Sequence, residues 1–144
     1  MTKNRRLTRI SSPVGVSPAQ GYSQVVTGSG RLVVISGQVA TDERGETVGV
    51  GDPDAQARQV FTNLRRCLAA VGATFDDVVK LTHFTTDIAY LTSIGAAWDE
   101  FVDPEHEPAS STVRVVALSR PELLLEVEAL ALVRPPRSGD FPSA

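Results

Sequence analysis

The chain has 144 residues, 42% hydrophobic and 22% charged, with a formal net charge of −3, a length and mix that one soluble globular domain ordinarily accommodates. A chain this long buries roughly two thirds of its unfolded surface, so a core forms without covalent staples. The lone cysteine, Cys67, excludes an internal disulfide; the acidic balance leaves no basic patch for nucleic acid, and no window approaches the roughly 20 apolar residues of a membrane span.

The N-terminal MTKNRRLTRI has no apolar run of signal-peptide length, so a cytoplasmic location is expected. Leu7 to Ile10 reads as an edge strand. Residues 11–21 are loop chemistry, broken by Pro13, Gly15, Pro18 and Gly21. Tyr22 to Thr27 is rich in strand formers, Gly28-Ser29-Gly30 has turn composition, and Arg31 to Ile35 is mostly apolar. Two such runs around a glycine-rich turn predict a β-hairpin. A second turn is expected at Asp42 to Gly45.

Asp52 is a good N-cap and Pro53 suits a first helical position. Ala57, Val60, Phe61, Leu64, Leu68 and Val71 then recur at helical spacing as one apolar face. Gly72 is placed just beyond the helix end. Val78 to Thr85 is a strand candidate. Asp87 opens a second helix with Tyr90, Leu91, Ile94, Trp98 and Phe101 on one face, and Asp103-Pro104 stops it. Thr112 to Leu118 and Leu123 to Val133 read as two further strands. The tail 135–144 is expected to be disordered, leaving residues 1–134 as a single domain.

This order predicts an α+β fold with two helices on one face of a largely antiparallel sheet. The last strand adds something more. Leu123, Leu125, Val127, Ala129, Ala131 and Val133 point to one face, and Leu124, Glu126, Glu128, Leu130 and Leu132 to the other. Both faces are largely apolar, and one helix layer covers only one of them. The other is expected to meet another subunit, with Glu126 and Glu128 in or near the contact.

Several stretches together resemble the RidA/YjgF family of small trimeric imine deaminases: Gly21-Tyr22-Ser23-Gln24, Ile35-Ser36-Gly37-Gln38, the helix residues Gln56-Ala57-Arg58-Gln59 and Asn63-Leu64, Pro108-Ala109, and Leu125-Glu126-Val127-Glu128-Ala129. Their order and spacing cover about residues 18–134. The resemblance implies a chorismate mutase-like fold with a mixed sheet, assembled as a homotrimeric barrel. It also implies hydrolysis of enamines and imines such as 2-aminoacrylate to a keto acid and ammonia, in clefts between subunits, with no metal and no organic cofactor.

Carried over residue by residue, Tyr22 matches a tyrosine near the cleft. Ser36 and Gly37 match the segment offering backbone groups to the substrate, and Glu126 matches the glutamate that positions or activates the water. The departures are equally specific. Where the family reads Pro-Ala-Arg, then Ser and often Cys, this chain has Pro108-Ala109-Ser110-Ser111-Thr112. Ser110 takes the arginine's place and Thr112 the cysteine's. Gly95 stands where many active members carry asparagine.

A guanidinium forks onto a carboxylate with two parallel hydrogen bonds, whereas serine has one uncharged hydroxyl. Replacing that anchor costs roughly ten- to a thousandfold for an amino-acid-derived imine, at about 1.4 kcal/mol per tenfold. Ordinary 2-aminoacrylate turnover is therefore in question, and a ligand that is neutral at this point is favoured. Arg114, four residues on and on the same strand face, is a candidate substitute anchor; the alternative is a solvated strand arginine.

Glu126 reads either as a general base among apolar neighbours or as an interface glutamate. Ser36-Gly37-Gln38 reads either as a ligand-binding turn or as a bulge. His83, His106 and Cys67 have no metal-ligand spacing, and neither histidine nor lysine is evidently placed to activate Ser110 or Ser111. Two functions stand: a divergent hydrolase of small enamines, imines or related carbonyl compounds with water as nucleophile, and a trimeric small-molecule-binding module that has lost catalysis. The acidic balance argues against the ribonuclease activity attached to some family names.

Overall fold

The computed structural model describes residues 6–135; most of the expected disordered tail, and the first five residues, lie outside the described residues. Among the described residues no helix is long and apolar enough to cross a membrane. The chain is α+β. Strands β1 (Leu7–Ile10) and β2 (Val25–Gly28) form a small antiparallel sheet. The main sheet has the order β3-β6-β4-β5, from β3 (Arg31–Gln38), β4 (Val78–Thr85), β5 (Ala109–Arg114) and β6 (Leu125–Val133). It is mixed: β6 runs antiparallel to both neighbours, while β5 lies parallel to β4. Parallel strands need a crossover, and helix α2 (Leu91–Phe101) lies in the connection that supplies it.

Helix α1 (Pro53–Ala69) begins as its sequence predicts. The Asp52 carboxylate accepts from the Ala55 amide, with Pro53 in the first turn. Its apolar face, Ala57, Val60, Phe61, Leu64 and Leu68, is fully buried, in one cluster with Val33, Ile35, Leu125, Val127, Ala129, Ala131 and Val133. Val71 is the exception at 39% exposed, because the helix has already ended and Gly72 has turned left-handed at φ +72°. The polar residues of α1 hold the chain on either side. Buried Gln56 donates to the carbonyls of Gly49 and Glu122 and accepts from the Leu124 amide. Asn63 donates to the carbonyls of Val39 and Thr41.

Three expectations are corrected. β2 and β3 are not a hairpin: β2 pairs with β1, and β3 pairs with β6. The glycines between them serve a crossing from one sheet to the other. A β-carbon on Gly28 would stand 2.4 Å from the Arg6 carbonyl oxygen, and one on Gly30 2.4 Å from that of Val133. Next, β5 spans 109–114 and not 112–118. Its partner β4 ends at Thr85, opposite Arg114, so the strand formers beyond have nothing to pair with and Val116 is fully exposed. Finally, Asp87 caps a short 3-10 turn, Ile88–Tyr90, and α2 follows from Leu91.

The two faces of β6 separate as its alternation predicts. Leu123 to Val133 at odd positions are buried under the helices. The opposite face of the sheet is open in the single chain, with Leu32 61%, Val34 69% and Leu130 38% exposed. That face also carries Lys80 and Thr82 beside Glu128, around a shallow hollow of about 140 Å³.

Candidate functional site

The end of β3 carries a bulge. Ile35 pairs with Ala129 and Gln38 with Val127, so Ser36 and Gly37 together face one residue of β6, Glu128. Gly37 is needed there for space and not for its dihedrals, since its φ is not positive. A β-carbon at Gly37 would stand 1.8 Å from Oε1 of Glu126 and 2.9 Å from its Cγ. The glutamate side chain thus lies directly on the glycine. Glu126 pairs with Phe84 of β4 and is half-buried, and Ser36 beside it is exposed. The bulge and the ligand-facing reading of Ser36-Gly37 are therefore compatible: the bulge makes the space that the carboxylate occupies.

Tyr22, Ser110 and Thr112 collect elsewhere. Ser23 bridges to Ala109, donates its amide to the Pro108 carbonyl at 3.0 Å and its hydroxyl to the Glu107 carbonyl at 2.6 Å. This fixes the backbone beside Tyr22, which is half-buried, at the start of β5. Ser110 pairs with Leu81 and Thr112 with His83, on the helix-covered side of the sheet. Both hydroxyls approach one atom: Oγ of Ser110 and Oγ1 of Thr112 are each 3.5 Å from Nδ1 of His83. His83 is 1% exposed, stacked on Phe61 and tilted against Trp98.

A histidine and a lysine do stand near the two serines. Besides His83 at Ser110, Lys80 Nζ donates to Ser111 Oγ at 2.7 Å. Neither arrangement makes an activated nucleophile. Nδ1 of His83 lies 3.2 Å from the Ser111 carbonyl oxygen, so it must carry the proton and donate. The ammonium of Lys80 likewise donates to its serine. Burial lowers the His83 pKa to about 4, more than the Ser111 carbonyl raises it, with a smaller lowering from Lys80. The ring is neutral near pH 7.

Within one chain the two groups do not meet. Glu126 lies on the open face and Ser110 on the covered one, two strands away and roughly 14 Å apart by strand spacing and rise. Arg114 does not turn back towards Ser110; it is exposed and donates Nε to the Thr86 carbonyl at 3.3 Å. A hollow of about 970 Å³ is lined by Arg6, Arg9, Asp76, Asp77 and His106 among others, and includes none of Tyr22, Ser36, Gly37, Ser110, Thr112 and Glu126. Beside it Asp76, Asp103 and His106 bring donor atoms within 4.8 Å of one another, a surface cluster that sequence spacing did not reveal. Both aspartates are exposed, and Nδ1 of His106 lies 3.2–3.3 Å from a carboxylate oxygen of each. The His83 contact was missed because 27 residues separate it from Ser110. Its one sequence signal is alternation, which puts His83 on the buried face of β4 with Leu81 and Thr85.

The sequence profile of the family described as Endoribonuclease L-PSP matches residues 13–133. A RutC family protein of Synechocystis is 32% identical over 118 residues, 81% of this chain and 89% of that protein. A Salmonella typhimurium protein named 2-iminobutanoate/2-iminopropanoate deaminase is 33% identical over 127 residues, 86% of this chain and 94% of its own length. Among solved structures, a Rid family protein of unknown function from Yersinia pestis superposes with a TM-score of 0.78 at 38% identity, covering 89% of this chain and 99% of that one. The chain belongs to the endoribonuclease L-PSP family, the RidA/YjgF group.

Proposed function

We propose that this protein is a hydrolase of small imines, enamines or related carbonyl compounds, working as a homotrimer with its site in the cleft between subunits. The observation that carries the reading is the Glu126 carboxylate laid on Gly37. A carboxylate held half-buried beside accessible backbone groups of a bulge can take a proton from water as that water attacks the imine carbon. Glu126 passes that proton to the nitrogen, and the carbinolamine so formed then loses its hydroxyl proton as the C–N bond breaks and the nitrogen leaves protonated, giving a carbonyl compound and ammonia; water supplies the oxygen, and no oxidant or cofactor is required. The name of the Salmonella relative, 33% identical, supports the same reaction class.

The separation of Glu126 and Ser36 from Tyr22, Ser110 and Thr112 supports a shared cleft. Two half-sites on different faces of one sheet become one site only if each is completed by another copy. The apolar open face, with Leu32, Val34 and Leu130 exposed, supports the same assembly. A net charge of −3 argues against RNA as a main partner, whatever the family's name.

The second reading is a trimer that binds a small molecule without turning it over. Ser110 in the arginine's place favours it, as does Arg114, which is engaged at Thr86. A deaminase assay separates the two, with 2-aminoacrylate released by a dehydratase and wild type, Ser110→Arg and Glu126→Ala compared. Faster decay with wild type but not with Glu126→Ala supports the hydrolase. Activity gained only in Ser110→Arg means an intact cleft retuned to another ligand. Inactivity of both removes the deaminase reading.

A further inference from the structure

The tautomer of His83 decides what Ser110 and Thr112 can offer a ligand. Nδ1 lies 3.2 Å from the Ser111 carbonyl oxygen. Were Nδ1 unprotonated, two lone pairs would face each other in a buried site, so the proton sits on Nδ1 and Nε2 is left as a buried atom with no partner. The same Nδ1 lies 3.5 Å from each of the Ser110 and Thr112 hydroxyl oxygens. A protonated Nδ1 has no lone pair to offer, so neither hydroxyl can donate to it. Their hydrogens are directed away from His83, and both side chains are partly exposed.

We propose that Ser110 and Thr112 form an uncharged two-donor anchor, set in that sense by His83, which receives a neutral acceptor group such as an amide or ester carbonyl rather than a carboxylate. The inference rests on the cleft reading above and names its substrate class: the imine or keto form of a compound whose acid group is blocked. Two hydroxyls supply about as many donors as one guanidinium fork but no charge. An ionised carboxylate loses far more hydration on entering such a site than an amide oxygen does, and nothing cationic offsets the loss. His83 cannot supply the charge, because burial keeps it neutral near pH 7. Arg114 cannot supply it either while its guanidinium is on the Thr86 carbonyl. His83 acts through the hydroxyls and is a positioning residue.

The test is isothermal titration with two stable probes of one shape, pyruvamide (neutral) and pyruvate (anionic), using trimeric protein checked by sedimentation and thermal melting. Wild type should bind pyruvamide about tenfold or more tightly than pyruvate, the equivalent of about 1.4 kcal/mol. Ser110→Ala should weaken pyruvamide about three- to tenfold, the usual value of one neutral hydrogen bond. His83→Val should weaken it similarly. His83→Asn, whose amide N–H can still meet the Ser111 carbonyl, should restore part of the loss, which a purely structural role would not predict. Ser110→Arg should reverse the preference. Wild type that prefers pyruvate overturns the anchor and leaves the cleft reading standing; so does unchanged pyruvamide affinity in Ser110→Ala, a partly exposed site where folding is not at risk. Binding of neither probe by wild type or by Ser110→Arg overturns the cleft reading and this inference together.

Discussion

A methyl group on Gly37 and the carboxylate of Glu126 cannot share the space between them: the β-carbon would stand 1.8 Å from Oε1 and 2.7 Å from Cδ. The two residues are 89 positions apart and belong to adjacent strands, so the bulge in β3 and the side chain on β6 are one device. Gly37→Ala should therefore act as an indirect Glu126 mutation. The side chain is flexible and half-exposed, so it can swing to another rotamer at a stability cost of about 1 kcal/mol. Its position over the bulge is lost, and with it the contribution of a general base, ~10²-fold or more in rate. Gly37→Ala should match Glu126→Ala in a deaminase assay while melting close to wild type. An active Gly37→Ala enzyme would show that this carboxylate position is not what catalysis uses.

His83 makes stability depend on pH. Its folded pKa is about 4 against an unfolded value of 6.5, chiefly through burial. A group whose folded pKa is depressed favours folding fully above the unfolded value and loses that contribution as pH falls through the folded one. Between pH 6.5 and 4 the loss from this residue is on the order of 3 kcal/mol, at 1.36 kcal/mol per pKa unit. Urea midpoints taken across that window should fall for wild type. They should fall less for His83→Val, whose curve keeps only the contribution of the other groups. Parallel curves for the two proteins would mean the ring reaches solvent readily enough to protonate in place.

Gln56 is fully buried and spends its whole amide on backbone, meeting two carbonyls and one N–H from loops on either side of α1. Gln56→Leu keeps the volume but leaves the Glu122 carbonyl and the Leu124 amide without partners, while the Gly49 carbonyl keeps the Asp52 N–H; each orphaned group costs about 1–3 kcal/mol. A loss of roughly 2–4 kcal/mol in urea unfolding is expected, the lower part of that sum because the loops can relax towards water. Because Leu124 leads directly into β6, deaminase activity near the midpoint temperature should fall before global unfolding is seen.

What could be read from the sequence was what local chemistry dictates. The Asp52 cap, the buried stripe of α1, the limits of β4 and the two faces of β6 each follow from spacing within one element, and each is found as read. What failed depended on partners. The Val25 and Val33 runs have hairpin composition, but β6 offers β3 a nine-residue antiparallel neighbour, and β2 is taken by β1. The end of β5 is set by the end of β4 and not by its own strand formers. The site divides the same way. Ser36, Gly37, Glu126, Ser110 and Thr112 were identifiable through motif resemblance, whereas the His83 contact and the fit of Glu126 onto Gly37 join residues far apart in the chain and needed the sheet register to appear.

The open face of the main sheet gives the test of assembly. Leu32 and Val34 on β3 stand beside Leu130 on β6, all substantially exposed, on a face that no helix covers. Each residue of this size gains about 1.5–3 kcal/mol when fully buried, so three copies of the patch packed together supply a strong drive to associate. The Lys80 ammonium, which lines the same hollow as Val34, already holds Ser111. Val34→Glu should therefore split the assembly while leaving the fold intact, since position 34 is 69% exposed in its own chain. Sedimentation at micromolar concentration should give a trimer for wild type and the 15.4 kDa monomer for the variant. The monomer should also lose activity, because Glu126 and Ser110 of one chain face apart. Wild type sedimenting at 15.4 kDa would remove both the trimer and any site that depends on two chains; a monomeric but active Val34→Glu would keep the trimer and place the whole site within one chain.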